Sequence, residues 1–451
     1  MKDFFKSVKK WLAPGMNVKR WILLITLGLF LLGISILAMV DFTYLGTIKR
    51  WIINFLIDVF GKNRLYTPDW LSVVLGVTVF IVSIVLIVIG IRQLLSSIIT
   101  SLLPEREKEI ADLVRAYRFR EKMLNVIIIG GGTGIYPYLL ALKELPFSLS
   151  AIVTVADSGG SSGRLRKDYS IPAPGDIRRA LIALSEHKQS YLEELFNYRF
   201  KNGSLSGHNI GNLMIAGLTE ITGDFSEAIY QLSKILSVKG KVIPFTLDNL
   251  TLCAEFKDGE IVCGEAEIRE ARKEIKRVFF DPPYAKPLIR AVEELDKADI
   301  ILIGPGSLYT SVLPSLIITP IADIIARSSA LKIYSVNLMT EVGETDGYFV
   351  SDHIKALFDN TGEKIFDYVL VNNGDINEEL LSKYEKYNSY KVKFDPEEIR
   401  KLNVTPLLYD LVENEVEIHD EVIRHSPVKV KSAIIEIVNK MKFIRGKKIK
   451  L

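Results

Sequence analysis

Two stretches of the chain carry no charge at all: residues 21–40, twenty in a row, and residues 70–91, twenty-two in a row. A helix rising about 1.5 Å per residue needs roughly 20 apolar residues to cross the hydrocarbon core of a bilayer. The pattern therefore predicts a membrane anchor over 1–103 with two transmembrane helices, at about 21–40 and 70–91. Between them Ile48, Trp51, Ile52, Phe55, Leu56, Val59 and Phe60 recur at helical spacing. That stripe predicts an amphipathic helix over about 46–60. From 104 to 123 the chain turns highly charged while Ile110, Leu113 and Val114 keep helical spacing, which reads as a charged helical connector.

Beyond residue 123 the periodicity changes. Short β-branched runs at 125–129, 149–156, 299–303, 333–336 and 368–371 alternate with helical stretches, and each run stops at a polar loop. Strand, glycine turn and helix in that order open a doubly wound fold. The expected class for 124–451 is α/β: a Rossmann-like, doubly wound, mainly parallel sheet, preceded by the two-helix hairpin.

The loops carry the candidate chemistry. The first is Gly130-Gly131-Gly132-Thr133-Gly134. Its glycines admit a tight turn and close approach of a phosphate, and the helix that follows adds partial positive charge. A dinucleotide fingerprint would need a glycine where Ile135 or Pro137 stands, and no P-loop lysine follows, so NAD and P-loop readings both fail. The second loop runs Asp157-Ser158-Gly159-Gly160-Ser161-Ser162-Gly163-Arg164-Leu165-Arg166, dense in amides, hydroxyls and guanidinium groups suited to an anion. Asp176 and Arg178 follow at a predicted helix start. His208, Asn209 and Asn212 lie in a Gly-Asn loop, Gly306 and Ser307 follow the strand at 299–303, and Asn337 follows the strand at 333–336.

Composition narrows the partners. With 57 basic and 54 acidic side chains the formal net charge is +3, which offers no clustered basic face for nucleic acid. Basic residues are denser before the first apolar stretch and after the second than in the loop between them. Both termini and the main domain are therefore expected to be cytoplasmic, with the loop outside. The only two cysteines, Cys253 and Cys263, flank Asp258-Gly259. A two-residue turn there would pair Cys253 with Gly264 and put the thiols on opposite faces, so no disulfide and no thiolate metal site is expected.

The ordered motifs GGGTG, ADSGGSSGRLR, PGDIR, GHNIGNL, GPGSLYTS and NLMTEVGET resemble the gluconeogenesis factor (YvcK-like) family, related to 2-phospho-L-lactate transferase (CofD-like). The resemblance runs from about 125 to 440. It implies a Rossmann-like domain and a role in cell-shape maintenance and growth on gluconeogenic carbon, with UDP-sugars as ligands of some members. The transferase relatives move a phospholactyl group from a guanylated donor with magnesium.

Two readings follow. In the first, a membrane-bound regulator binds a UDP-sugar through Gly131, Gly132, Thr133, Gly134, Ser158, Gly160, Ser161, Ser162, Arg164, Arg166, Asn209 and Asn212. In the second, a transferase uses Asp157 and Asp176 to hold Mg2+ and His208 as acid or base. The chain has Ala-Asp-Ser-Gly-Gly at 156–160 where the transferase branch has paired carboxylates, and Arg-His-Ser-Pro at 424–427 where the family shows Arg-His-Asp-Pro. Expected partners are the nucleotide ligand, the lipid bilayer and further copies of the chain as a homo-oligomer.

Overall fold

The computed structural model describes residues 18–39, 69–102, 123–186, 191–413 and 422–441, with strand pieces at 443–444 and 447–448. The amphipathic segment expected at 46–60 and nearly all of the connector at 104–123 lie outside these residues. The chain divides into two units, Met1–Glu121 and Lys122–Leu451.

In the first unit the helices Val18–Met39 and Asp69–Leu102 pack along each other. Two glycines sit at the contact. A Cβ on Gly28 would fall 2.7 Å from Ile87 Cγ1, and one on Gly90 would fall 2.6 Å from Ile25 Cγ1. Small residues at such positions let apolar helices approach closely. The 19-residue window Gly76–Leu94 is long and apolar enough to cross a membrane, while Arg20–Ile36 is a shorter apolar stretch.

The second unit is an α/β domain around a seven-stranded sheet. Its strands are β1 (Leu124–Gly130), β2 (Phe147–Val153), β3 (Lys241–Pro244), β7 (Ile300–Ile303), β8 (Leu331–Ser335), β9 (Tyr368–Asn372) and β10 (Thr405–Tyr409), numbered with the inserted β4–β6 counted in chain order. They lie in the order β10-β9-β8-β7-β1-β2-β3, with every neighbouring pair parallel. Strands covered by helices on both faces must be apolar on both, which explains the unbroken runs. Val126–Ile129 of β1 stands in register with Ile300–Ile303 of β7, and all eight side chains are buried. The chain winds outward one way through β2 and β3 and the other way through β7 to β10. That reversal creates a crevice at the carboxyl ends of β1 and β7, the place where ligands bind in open α/β sheets.

The insert between β3 and β7 is a three-stranded antiparallel sheet in the order β5-β4-β6, from β4 (Thr251–Phe256), β5 (Ile261–Cys263) and β6 (Ile275–Asp281). Its hairpin corrects the cysteine expectation. The turn holds three residues, 257–259, closed by a bond from Gly259 N to Phe256 O, with Gly259 at φ +89°. A left-handed third residue is the usual device of a three-residue hairpin loop. The extra residue shifts the register by one, so Cys253 pairs with Cys263, and the two form a disulfide.

Candidate functional site

The glycine loop after β1 ends against its neighbours rather than in open solvent. A Cβ on Gly132 would lie 2.2 Å from the Asp176 carbonyl oxygen, and one on Gly134 would lie 2.3 Å from that of Pro305. The loop is thus clamped between the helix Gly175–Leu184 and the loop that follows β7. The Asp176 carboxylate lies beside the glycine loop, its Oδ2 3.2 Å from where a Cβ on Gly131 would stand, and the Gly132 and Thr133 amides favour its charged form. An aspartate of this same chain therefore stands beside the loop that the sequence assigns to phosphate. Burial, followed by the nearby charge of Asp157, pushes the Asp176 carboxyl up to about 6 against the opposing pull of Arg179 and the two amides. Arg179 Nη1 lies 3.6 Å from Asp176 Oδ1 and also donates to Thr133 Oγ1.

The second loop is shorter than its composition suggests, because Gly160–Tyr169 is helical. Asp157 Oδ1 accepts from Gly159 N at 2.8 Å, which fixes the turn into that helix. Arg164 and Arg166 consequently project from a helix, Arg164 exposed with one bond and Arg166 held by several. Arg164 Nη2 donates to Ser206 O at 2.9 Å, while Arg166 donates to Asn249 Oδ1 at 2.7 Å, to Leu250 O and to Thr251 Oγ1. Arg166 thereby ties the second loop to the inserted sheet.

The Gly-Asn segment is built around Ser161. Its hydroxyl takes Asn209 N at 3.3 Å and Asn212 Nδ2 at 3.2 Å, and His208 Nδ1 lies 3.3 Å away. Asn209 Oδ1 caps the helix Ile210–Thr222 by accepting from Gly211 N and Asn212 N. Arg178, buried, donates to Asn212 Oδ1 at 3.0 Å and Asn197 Oδ1 at 2.6 Å. Burial and the neighbouring Arg179 and Arg199 lower Arg178 to about 10. Desolvation and then Arg164 lower His208, which favours its neutral form. Asn209, Asn212 and Arg178 are thus bonded to one another and to Ser161, Asn197 and Gly211.

Past β7, Gly306 N donates to Asn337 Oδ1 at 2.9 Å, and Asn337 Nδ2 donates to Glu341 Oε1 at 3.0 Å. Burial raises the Glu341 carboxyl against the opposing pulls of Ser307 and Arg269. Glu344, whose side chain is fully buried, accepts from Tyr309 N at 3.0 Å and Thr310 Oγ1 at 2.7 Å and so fixes the loop after β7. Burial and Glu341 raise Glu344 to about 7.

Two residues that the motifs do not contain join these loops. Glu265 N, on the helix Glu265–Ala271 of the insert, donates to Ser158 Oγ at 2.9 Å. Burial, then Asp157, raises the Glu265 carboxyl to about 8. Arg269 pairs with Glu265 one turn away and stands 3.6 Å from Glu344 Oε1. Their i,i+4 spacing was visible in the sequence, but nothing there indicated that the hairpin folds onto the second loop.

The rim so assembled joins loops from β1, β2, β7 and β8 and interleaves arginines with carboxylates, of which Asp176, Glu265, Glu341 and Glu344 are raised by burial. Among the described residues no set of three His, Cys, Asp or Glu side chains is arranged to hold a metal ion. A separate groove of about 580 Å³ lies along the edge strand β3 and the helix Phe225–Ile235, away from the rim.

Comparison with known proteins places this architecture. The family model described as "2-phospho-L-lactate transferase CofD" matches residues 126–412. A protein of Halalkalibacterium halodurans named "Gluconeogenesis factor" is 49% identical over 317 residues, covering 70% of this chain and 97% of that one. One of Clostridium acetobutylicum named "Putative gluconeogenesis factor" is 36% identical over 448 residues, 97% of this chain and 94% of its own. A crystal structure of a protein from Bacillus halodurans superposes with a TM-score of 0.67 at 48% identity, covering 69% of this chain and 99% of that one. The ordered strand-end motifs, the parallel sheet and these matches agree: the chain belongs to the CofD family, among the proteins named gluconeogenesis factors.

Proposed function

We propose that the domain is a nucleotide-sugar receptor, a regulator held at a membrane by the helices Val18–Met39 and Asp69–Leu102, and that it senses its ligand without transforming it. The observation that carries this reading is the bonding state of the rim. His208, Ser161, Asn209 and Asn212 form a closed set in which Ser161 Oγ already takes two donors. No hydroxyl or thiol there stands against a base that is itself oriented by a third group, as a covalent mechanism requires. The glycine loop's backbone amides and the hydroxyls of Thr133, Ser158 and Ser162 lie at the same strand ends, and groups of that kind suit recognition of a sugar and a nucleoside. Regulation of cell-envelope growth follows as the biological role, and the two apolar helices would keep the receptor at that surface.

A second reading rests on Asp157 and Asp176, whose charges act on each other. Magnesium takes one or two carboxylates together with substrate phosphates and keeps several waters. These two residues could hold it only with a phosphorylated ligand completing the shell, and the chain would then be a transferase. Calorimetric titration with UDP-N-acetylglucosamine, with and without Mg2+, followed by analysis of the recovered ligand, separates the readings. Saturable binding with intact ligand supports the receptor; magnesium-dependent conversion overturns it.

A further inference from the structure

We propose that Cys253 and Cys263 form a thiol–disulfide exchange site, opened by an external dithiol, and that its state sets how firmly the inserted sheet is docked on the second loop.

The two cysteines face each other on the antiparallel strands β4 and β5, with Cα atoms 4.0 Å apart and their sulfurs bonded. Gly264 N donates to Leu252 O at 2.8 Å, one residue beyond the pair on each strand. The cysteines are therefore a non-hydrogen-bonded pair, the kind in which side chains stand closest across a ladder. The bridge can open and close without any ladder bond having to break.

The two residues are not equally reachable. Cys253 is 0% exposed on the central strand of the insert, whereas Cys263 is exposed on its edge strand. An incoming thiolate thus meets Cys263 Sγ first. It bonds to that sulfur, the Cys253–Cys263 bond breaks, and Cys253 leaves as a thiolate. The second thiol of the dithiol then displaces Cys263, so that the dithiol ends as its own disulfide and both cysteines as thiols. The chain has no third cysteine, so reoxidation within it restores the same pair.

The bridge lies where the insert meets the rim. Cys263 is followed by Gly264, at φ +110°, and by Glu265, whose N donates to Ser158 Oγ at 2.9 Å. On the other strand, Arg166 of the second loop's helix donates to Leu250 O and, at 3.3 Å, to Thr251 Oγ1, two residues before Cys253. Each strand is thus tied separately to the second loop, β4 through Arg166 and β5 through Glu265. The disulfide joins these attachments into one unit. Without it, β5 is held by a ladder of three residues on one side only, and its attachment can release by itself. A disulfide in a cytoplasmic domain is normally a transient, redox-sensing one.

The test treats the full chain in detergent micelles with dithiothreitol or with its oxidised cyclic disulfide. Free thiols are counted by alkylation and mass spectrometry, and hydrogen exchange is followed for the peptide spanning 264–271. Oxidation should remove both thiols together. Reduction should speed exchange at 264–271 roughly tenfold or more, a modest share of what a short disulfide-closed loop contributes. The strands β1 and β7 should exchange equally in both states. Cys263→Ser, on the exposed strand, should exchange at the reduced rate under both treatments, which separates the bridge from any other effect of the reagents. Thiols that persist after oxidation overturn the proposal. So do equal exchange at 264–271 in the two states, a change spread evenly over β1 and β7, and a Cys263→Ser chain that still responds.

Discussion

Replacing Glu265 by glutamine removes an acid whose proton the fold retains. Burial and the charge of Asp157 raise its carboxyl from 4.5 to about 8. A folded-state value above the unfolded one means that the native chain holds more protons between the two. The stability linked to this group is complete below about pH 4.5 and is lost as pH rises through about 8. At about 1.4 kcal/mol per pH unit, the interval corresponds to a loss on the order of 3–5 kcal/mol. Glutamine keeps the shape and has no proton to lose. Between pH 5 and pH 9 the variant should therefore gain on the wild type by roughly that amount; the charge of Asp176 also acts on Glu265, so the gain belongs to the interacting groups and not to Glu265 alone. The assay is urea unfolding of residues 122–451 followed by far-ultraviolet circular dichroism. Tryptophan fluorescence would not serve, because all four tryptophans lie within the first 70 residues. Parallel stability curves for the two proteins across this range would refute the account of Glu265.

Further outcomes follow from other parts of the structure. Gly132→Ala should destabilise the domain by about 2 kcal/mol or more, because the new Cβ meets the Asp176 backbone, which has nowhere to go. Gly217→Ala, in the middle of the helix Ile210–Thr222 with nothing within 4 Å, should stabilise by about 0.5–1 kcal/mol. Urea midpoints compare the two. Cys253→Ser should cost about 3 kcal/mol under oxidising conditions and little in excess reductant, the difference being the closed loop between the cysteines. Equal midpoints in both conditions would mean that the disulfide does not form. Asn209→Ala should cost about 1 kcal/mol through loss of the cap, read as a lower melting temperature.

The sheet was legible in the sequence because parallel strands covered on both faces must be apolar throughout, as 125–129 and 299–303 are. The positions of the loops followed from the same strands. What each loop side chain does was less legible. Glycine and serine at 160–162 read as loop, but the chain becomes helical at Gly160 once the Asp157 carboxylate has taken Gly159 N. The sequence marks Asn209 and Asn212 as ligand contacts but does not show that their side chains also cap a helix and hold Ser161 and Arg178. The cysteine register failed on one residue, since a turn of three with left-handed Gly259 replaces a turn of two. Glu265 and Arg269 escaped notice for a different reason. Glu265 meets Ser158 across 107 residues of sequence, and local periodicity carries no information about such a contact.

On the receptor reading, the strand-end rim holds an anionic nucleotide sugar and leaves it unchanged. It is tested most directly by titrating the wild-type chain with UDP-N-acetylglucosamine in a calorimeter and then analysing the recovered ligand by mass spectrometry. The account predicts saturable binding to one site per chain, with the ligand returned intact in the presence or absence of Mg2+. No heat of binding at millimolar ligand, or a product that forms only with Mg2+, would contradict it.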